Sequence, residues 1–400
     1  MKIFLLLLEV LSFPFLIGPL LCSVQGLIFD FKWSLKSEFL VLFLGCYLLI
    51  AVSVMSVMRK ILMGRTLEKI NLQIINKERL LLFILIIFCL AQIGFIININ
   101  RLFNAGILNL VGSGRAWELT FGENVITNYL FFLNGYIVAN YPAWRQIFNE
   151  SNSRLRSIKI ISLISFLSLF FHGVKGTVLF PIIIAYYHSR ILGVKIPILN
   201  LKTIFLFIFI LFAANSYLRD KSMLEGDYYA RISKKILLYI TPGYANLQKQ
   251  IDSDSNFAMG TLTLGSLGNL RSIFHVLSTG ERPSKNKRST TRVSGTEIKL
   301  ELVDEAYNTG TVFRSAYIDF GYQGFAYYIL FFIIYLSLAL SWQLRYNNSL
   351  TCFILSIALI QLLFCFWGNH FTRLQYIYWI MVSIIQFQYT RILNDNSLHK

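Results

Sequence analysis

LLFILIIFCLAQIGFII, residues 81–97, runs without a charge, and its apolar side chains fall on every side of a helix instead of forming one stripe. Such a run suits lipid all round. In hydrocarbon every backbone N–H and C=O must be paired within the structure, so helices or closed barrels are the only spanning forms. Blocks of about 20 residues without alternation are helices. Reading outward from this block predicts spans at roughly 3–21, 39–58, 80–97, 125–140, 157–171, 177–191, 203–216, 317–340, 351–367 and 376–389. Composition agrees. Hydrophobic residues make up 56% of the chain and charged residues 14%, where a soluble domain carries roughly a quarter; mean hydropathy is +0.59.

The first block, Ile3 to Leu21, resembles a signal peptide in length. It lacks a small-x-small cleavage site and contains Pro14 and Pro19, so it reads as a retained span. Lys and Arg then set the orientation. Residues 59–79 hold Arg59, Lys60, Arg65, Lys69, Lys77 and Arg79; residues 141–156 hold Arg145, Arg154 and Arg156; residues 188–202 hold Arg190, Lys195 and Lys202. The alternate segments are poorer: Lys32 and Lys36, then Arg101 and Arg115, then Lys175, then Arg373. The rich set belongs in the cytoplasm. The expected fold is therefore an all-α polytopic membrane protein of about ten helices with both termini cytoplasmic. Its parts are helices 1–7 (1–216), one large external loop (217–316) and helices 8–10 (317–400).

The net charge of +17 follows from the same bias and does not call for a nucleic-acid partner. The five cysteines, Cys22, Cys46, Cys89, Cys352 and Cys365, show no CxxC and no metal-ligand spacing. None lies in the large loop, which must hold its shape without a disulfide. No fixed-period repeat is visible.

Three places depart from plain membrane span. The large loop is mixed in sign: an amphipathic helix broken at Pro242–Gly243 is expected within 227–251, an apolar stretch lies at 257–277, and 281–301 is polar and turn-rich. At FHGVKGT (171–177) one helix from 158 to 191 would be about 50 Å long, too long for a core of about 30 Å, so two helices joined by HGVKG fit better. His172 and Lys175 would sit at that turn. Lys175 then either faces a wet cavity or an anion, or snorkels from an ordinary tight turn. Third, NTGTVFRSAYIDFGYQG (308–324) enters the eighth span with Arg314 and Asp319 five residues apart. Asp319 is either a first-turn cap favoured by the helix dipole or a functional acid, and Arg314 either an interfacial anchor or a ligand. The last external turn, GNHFTR (368–373), adds His370 and Arg373, as ligands or as headgroup contacts.

These segments carry a resemblance. NTGTVFRSAYIDFGYQGFAYYI is similar to the stretch that follows the large external loop in Wzy-type O-antigen or oligosaccharide repeat-unit polymerases, with Asp319, Phe320, Gly321 and Gly324 in its "DFG..G" positions. HGVKGTVLFPIII resembles that family's short turn with a basic residue before Gly, departing by Lys175 where Arg is usual; a point charge replaces a bidentate fork. The architecture is shared over most of the chain and the residue match over about 40 positions.

The resemblance implies a glycosyltransferase in the bacterial inner (cytoplasmic) membrane, its large loop periplasmic. It would join undecaprenyl-diphosphate-linked oligosaccharide repeat units into O-antigen or capsule on the outer face. Membrane lipids and a chain-length regulator are the expected partners. An acceptor hydroxyl attacking an anomeric carbon as a diphosphate leaves needs cations at the leaving group and a base near the hydroxyl. Lys175, Arg231, Arg314 and Arg373, with His172 and Tyr317, are the expected diphosphate and substrate contacts, and Asp319 and His370 the candidate bases. No acidic metal motif is present, so no metal or cofactor is expected. Two rival readings are an O-antigen ligase-type glycan transferase, which shares this architecture, and a polysaccharide flippase or other transporter. Transporters usually show internal repeats and charged or broken helices at the midplane.

Overall fold

The computed structural model describes residues 2–29, 35–62, 75–104, 125–149, 152–171, 175–197, 240–252, 312–366 and 374–391, with isolated positions between 199 and 210. Among these residues the chain is helical, with no strand and one isolated bridge between Ile75 and Arg391. The elements are Lys2–Ser12 (α1), a π-helical turn Phe13–Ile17, Gly18–Phe29 (α2), Ser37–Leu62 (α3), Lys77–Asn104 (α4), Val125–Ile147 (α5), Asn152–Phe171 (α6) and Lys175–Leu192 (α7). They continue with Pro242–Asp252 (α8), Val312–Phe320 (α9), Gln323–Tyr346 (α10), Ser349–Leu363 (α11) and Leu374–Thr390 (α12).

Among the described residues four helical stretches are long and apolar enough to cross a membrane: Ile3–Val24, Ser37–Lys60, Lys77–Asn100 and Gln323–Tyr346. Thr177–Leu192 and Ser349–Leu363 are apolar but shorter. The spans expected at 125–140, 157–171 and 376–389 coincide with α5, α6 and α12, and most of 203–216 lies outside the described residues. What faces outward is apolar. On α3, Val41 is 70% exposed, and Leu48, Leu49 and Val52 are also exposed, while Phe43, Ile50 and Val54 are buried. A helix buried on one side and Leu/Val-coated on the other is built for lipid, not water. As expected, residues 158–191 divide into two helices, α6 ending at Phe171 and α7 opening at Lys175.

The chain forms two compact units. The first comprises Met1–Arg65, Ser233–Ser341 and Ala358–Tyr376. Its core is aromatic. Phe15 and Phe43 meet Phe313 at ring separations of 5.7 and 5.6 Å, and Phe313 stacks on Phe325 at 5.4 Å. Pro14 and Pro19 shape the first helix. In the π turn the Gly18 N–H bonds the Phe13 carbonyl. The next donor in that pattern is residue 19, a proline without an N–H, so the Pro14 carbonyl is left over. The Tyr244 hydroxyl of α8 donates to it at 2.6 Å. Gly18 makes room for that ring, since a Cβ there would lie 2.8 Å from Tyr244 Cε2.

The second unit comprises Thr66–Ile232, Trp342–Ile357 and Ile377–Lys400. In it α5 packs against α4, α6 and α7. Gly94 allows α4 to meet α5 backbone to backbone, where a Cβ would lie 2.8 Å from the Leu130 carbonyl carbon. Neutral polar groups tie these helices together. Gln92 Nε2 donates to Asn134 Oδ1 at 2.9 Å, Ser168 Oγ to Gln92 Oε1 at 3.2 Å, and the Tyr136 hydroxyl to Gln386 Oε1 at 2.8 Å. Asn76 caps α4, its Oδ1 accepting the N–H groups of Glu78 and Arg79 at 3.0 and 3.1 Å.

The break expected at Pro242–Gly243 is present: Ile240 is helical, Thr241 bends, and α8 opens at Pro242, the first-turn position where its missing N–H costs nothing. Thr241, Tyr244, Ala245, Asn246, Leu247 and Gln250 are buried, while Asp252 at the far end is exposed.

Candidate functional site

In the sequence Asp319 stood at the start of the eighth span. The structure puts it instead at the carboxyl end of a separate short helix, α9, one residue before Phe320 closes it. Gly321 is the reason. It adopts φ +61°, the left-handed conformation that ends helices, and its N–H bonds the Tyr317 carbonyl at 2.8 Å. The long apolar helix α10 begins only after this turn, at Gln323.

The four motif positions then separate by role. Gly321 makes the turn. Gly324 lets α10 touch the α9 backbone, for a Cβ there would meet the Ala316 carbonyl oxygen and lie 2.5 Å from its carbon. Phe320 packs edge-on against Tyr327 at 5.5 Å. Neither turn geometry nor ring packing accounts for Asp319. It is fully buried, and a carboxylate belongs at the positive amino end of a helix, not at the carboxyl end. The capping explanation is thereby removed. A carboxyl shut away from water is held there by polar partners.

Along α8 and α9 the described part of this unit buries more polar side chains than elsewhere. Among the described residues of the first unit the buried polar side chains are Thr241, Asn246, Gln250, Asp319 and Gln361. Gln361 is accounted for by the Tyr335 hydroxyl, which donates to it at 2.6 Å. The other four lie on or next to α8 and α9, which pack against each other. Arg314, half-buried on α9, adds a cation; burial lowers its guanidinium from the ordinary value, and Arg stays charged near neutral pH regardless. Tyr317, buried one turn on from Arg314, lies edge-on to Tyr322 at 5.4 Å, and Tyr322 is 68% exposed.

Of the residues predicted from sequence, the structure therefore brings Arg314, Tyr317 and Asp319 onto one helix. Arg314 and Tyr317, three apart, share a face, whereas Asp319 is turned about 140° from Arg314. Lys175 is the first residue of α7, in the second unit, and its side chain lies outside the described residues. His172, Arg231, His370 and Arg373 lie outside them altogether. Sequence reasoning missed Asn246 and Gln250. Their i, i+4 spacing in a segment read as a half-exposed helix was the signal available.

Chemically, the α8–α9 pair offers a guanidinium for an anion, a carboxyl for a proton and carboxamides for hydroxyls. Compared with protein families, with characterised proteins and with solved structures, the chain matches none.

Proposed function

We propose that this chain is a membrane glycosyltransferase that polymerises undecaprenyl-diphosphate-linked oligosaccharide repeat units on the outer face of the bacterial inner membrane. The ten-span topology with cytoplasmic termini and a periplasmic loop belongs to the same proposal. The observation that carries it is that four of the five described buried polar side chains of the first unit lie on or next to α8 and α9, and that α9 carries Asp319 and Phe320 of the "DFG..G" stretch of the polymerase resemblance.

In this reading the acceptor sugar's hydroxyl attacks the anomeric carbon of the donor glycan. A glycosidic C–O bond forms as the C–O bond to the diphosphate breaks, and undecaprenyl diphosphate leaves with the bonding pair. The hydroxyl proton passes to Asp319 or His370. Arg314, with Lys175, Arg231 and Arg373, holds the departing diphosphate, while His172 and Tyr317 contact the substrate.

Deleting the gene and running the surface polysaccharide on a gel tests this. A polymerase leaves single-unit product and no ladder. Restoration by the native chain and by Arg101→Ala, but not by Arg314→Ala, supports the site, and equal restoration by both variants removes it.

A further inference from the structure

We infer that Arg79, Arg156, Lys159 and Arg391 form a docking surface for anionic phospholipid, their cations meeting phosphates of the leaflet in which α4 and α6 begin. The inference goes beyond the polymerase reading and does not rest on it.

The helix macrodipole favours cations at a carboxyl end and opposes them at an amino end. Several helices follow that rule. Arg59 and Lys60 lie in the last turn of α3, Arg145 in that of α5, Arg190 in that of α7 and Arg345 in that of α10. The starts of α4 and α6 do the reverse. α4 opens on Lys77 and Arg79, and α6 has Arg154 in its first turn with Arg156 and Lys159 just beyond. Glu78 is the one acid in the first turn of either helix, and Arg154 takes it, Nη2 to Oε1 at 2.5 Å. That ion pair fixes the two helix starts side by side. Arg391 joins them from the end of α12, where it forms a bridge with Ile75 and the Asn76 N–H donates to the Thr390 carbonyl at 2.8 Å. Arg79, Arg156, Lys159 and Arg391 are all exposed. A bias of Lys and Arg to one side of a membrane explains cations on that side, but not their choice of the ends that the dipole disfavours. An anion held there does.

The patch runs straight into an apolar surface, which names the anion. At about 100° per residue Arg79 shares an arc of roughly 60° with Ile86, Leu90 and Ile93. Arg156 and Lys159 share one of roughly 80° with Leu163 and Leu167. All five apolar side chains are exposed. Side chains on a helix lean toward its amino end, so these cations reach beyond the stripes they head. A phospholipid meets both parts at once, its acyl chains along the stripes and its phosphate at the cations. A soluble anion meets only the second. Clusters of Lys and Arg beside a span attract anionic lipid by charge, an attraction that salt screens.

The test is thermal unfolding of the purified full chain in neutral detergent, titrated with phosphatidylglycerol or with phosphatidylcholine. The native chain is expected to unfold at higher temperature with phosphatidylglycerol, and the gain to shrink as salt rises from about 0.1 to about 1 M. In the quadruple variant Arg79→Gln, Arg156→Gln, Lys159→Gln, Arg391→Gln, the phosphatidylglycerol concentration giving half the gain is expected to rise about tenfold. Removing as many cations from helix carboxyl ends (Arg59→Gln, Lys60→Gln, Arg190→Gln, Arg345→Gln) is expected to raise it about twofold at most. If the first variant does not fold, the pair Arg156→Gln, Lys159→Gln takes its place, with a rise of about threefold expected. Equal stabilisation of the native chain by the two lipids overturns the inference. So does a folded patch variant with the native half-point, or a carboxyl-end variant that shifts as far. Inorganic phosphate stabilising the native chain at the concentrations where phosphatidylglycerol does would make the patch a soluble-anion site and overturn the lipid assignment.

Discussion

In the proposed reaction Asp319 is the residue on which the chemistry turns, because the other three motif positions are explained by geometry and it is not. Gly321 takes a left-handed φ of 61°, Gly324 sits against Ala316, and Phe320 packs on Tyr327. A buried acid at a helix carboxyl end is retained against both desolvation and the helix dipole. Replacing it by its neutral isostere separates a chemical role from a packing role. Asp319→Asn is expected to keep the thermal midpoint within a few degrees while polymer formation falls at least ~100-fold, the scale of a lost general base. Ladder length and unfolding measured on the same preparation check this. Retained polymer growth in the folded variant would move the proton transfer to His370.

At the scale of elements, the docking of α8 onto the first helix is the contact most open to quantitative test. Pro19 withholds an N–H from the Pro14 carbonyl, and Tyr244 supplies a hydroxyl at 2.6 Å in its place. Tyr244→Phe leaves a buried carbonyl unsatisfied and is expected to cost about 1–3 kcal/mol. In a Pro19→Ala background residue 19 again has an N–H, so the same substitution should cost measurably less. A double-mutant cycle on unfolding in detergent reads the coupling directly; a cost equal in both backgrounds would mean that the two groups do not share that carbonyl. Such a contact joins residues 230 apart in the chain, so no local pattern announces it. The apolar helices, by contrast, were plain in the sequence, because lipid demands an uninterrupted apolar run whatever the tertiary packing. The break at FHGVKGT was equally legible, from length alone. Where sequence reading went astray was at α9. Asp319 was placed at the start of the eighth span, whereas a left-handed Gly321 ends a separate short helix before that span begins, and a glycine's role as helix stop depends on its position.

For the whole molecule, composition gave the class and the charge bias gave an orientation, while the site needed the fold. Asp319 and Arg314 were visible as charged residues beside a span, whereas only the i, i+4 amides of α8, some sixty residues earlier, hinted that this segment packs against α9. Topology is open to direct measurement. In a chain whose native cysteines are replaced, Thr290→Cys should react with an impermeant maleimide added to intact spheroplasts, and Thr66→Cys only after lysis; the reverse pattern would turn the molecule over and put the large loop in the cytoplasm. The claim that the α8–α9 patch serves glycan joining is tested most directly by reconstitution. Purified chain is placed in liposomes with lipid-linked repeat units, and polymer length and transbilayer movement of the units are followed in parallel. The predicted result is a ladder of lengthening glycan with release of undecaprenyl diphosphate, abolished by Arg314→Ala. Movement of units across the bilayer with no growth in length would contradict it.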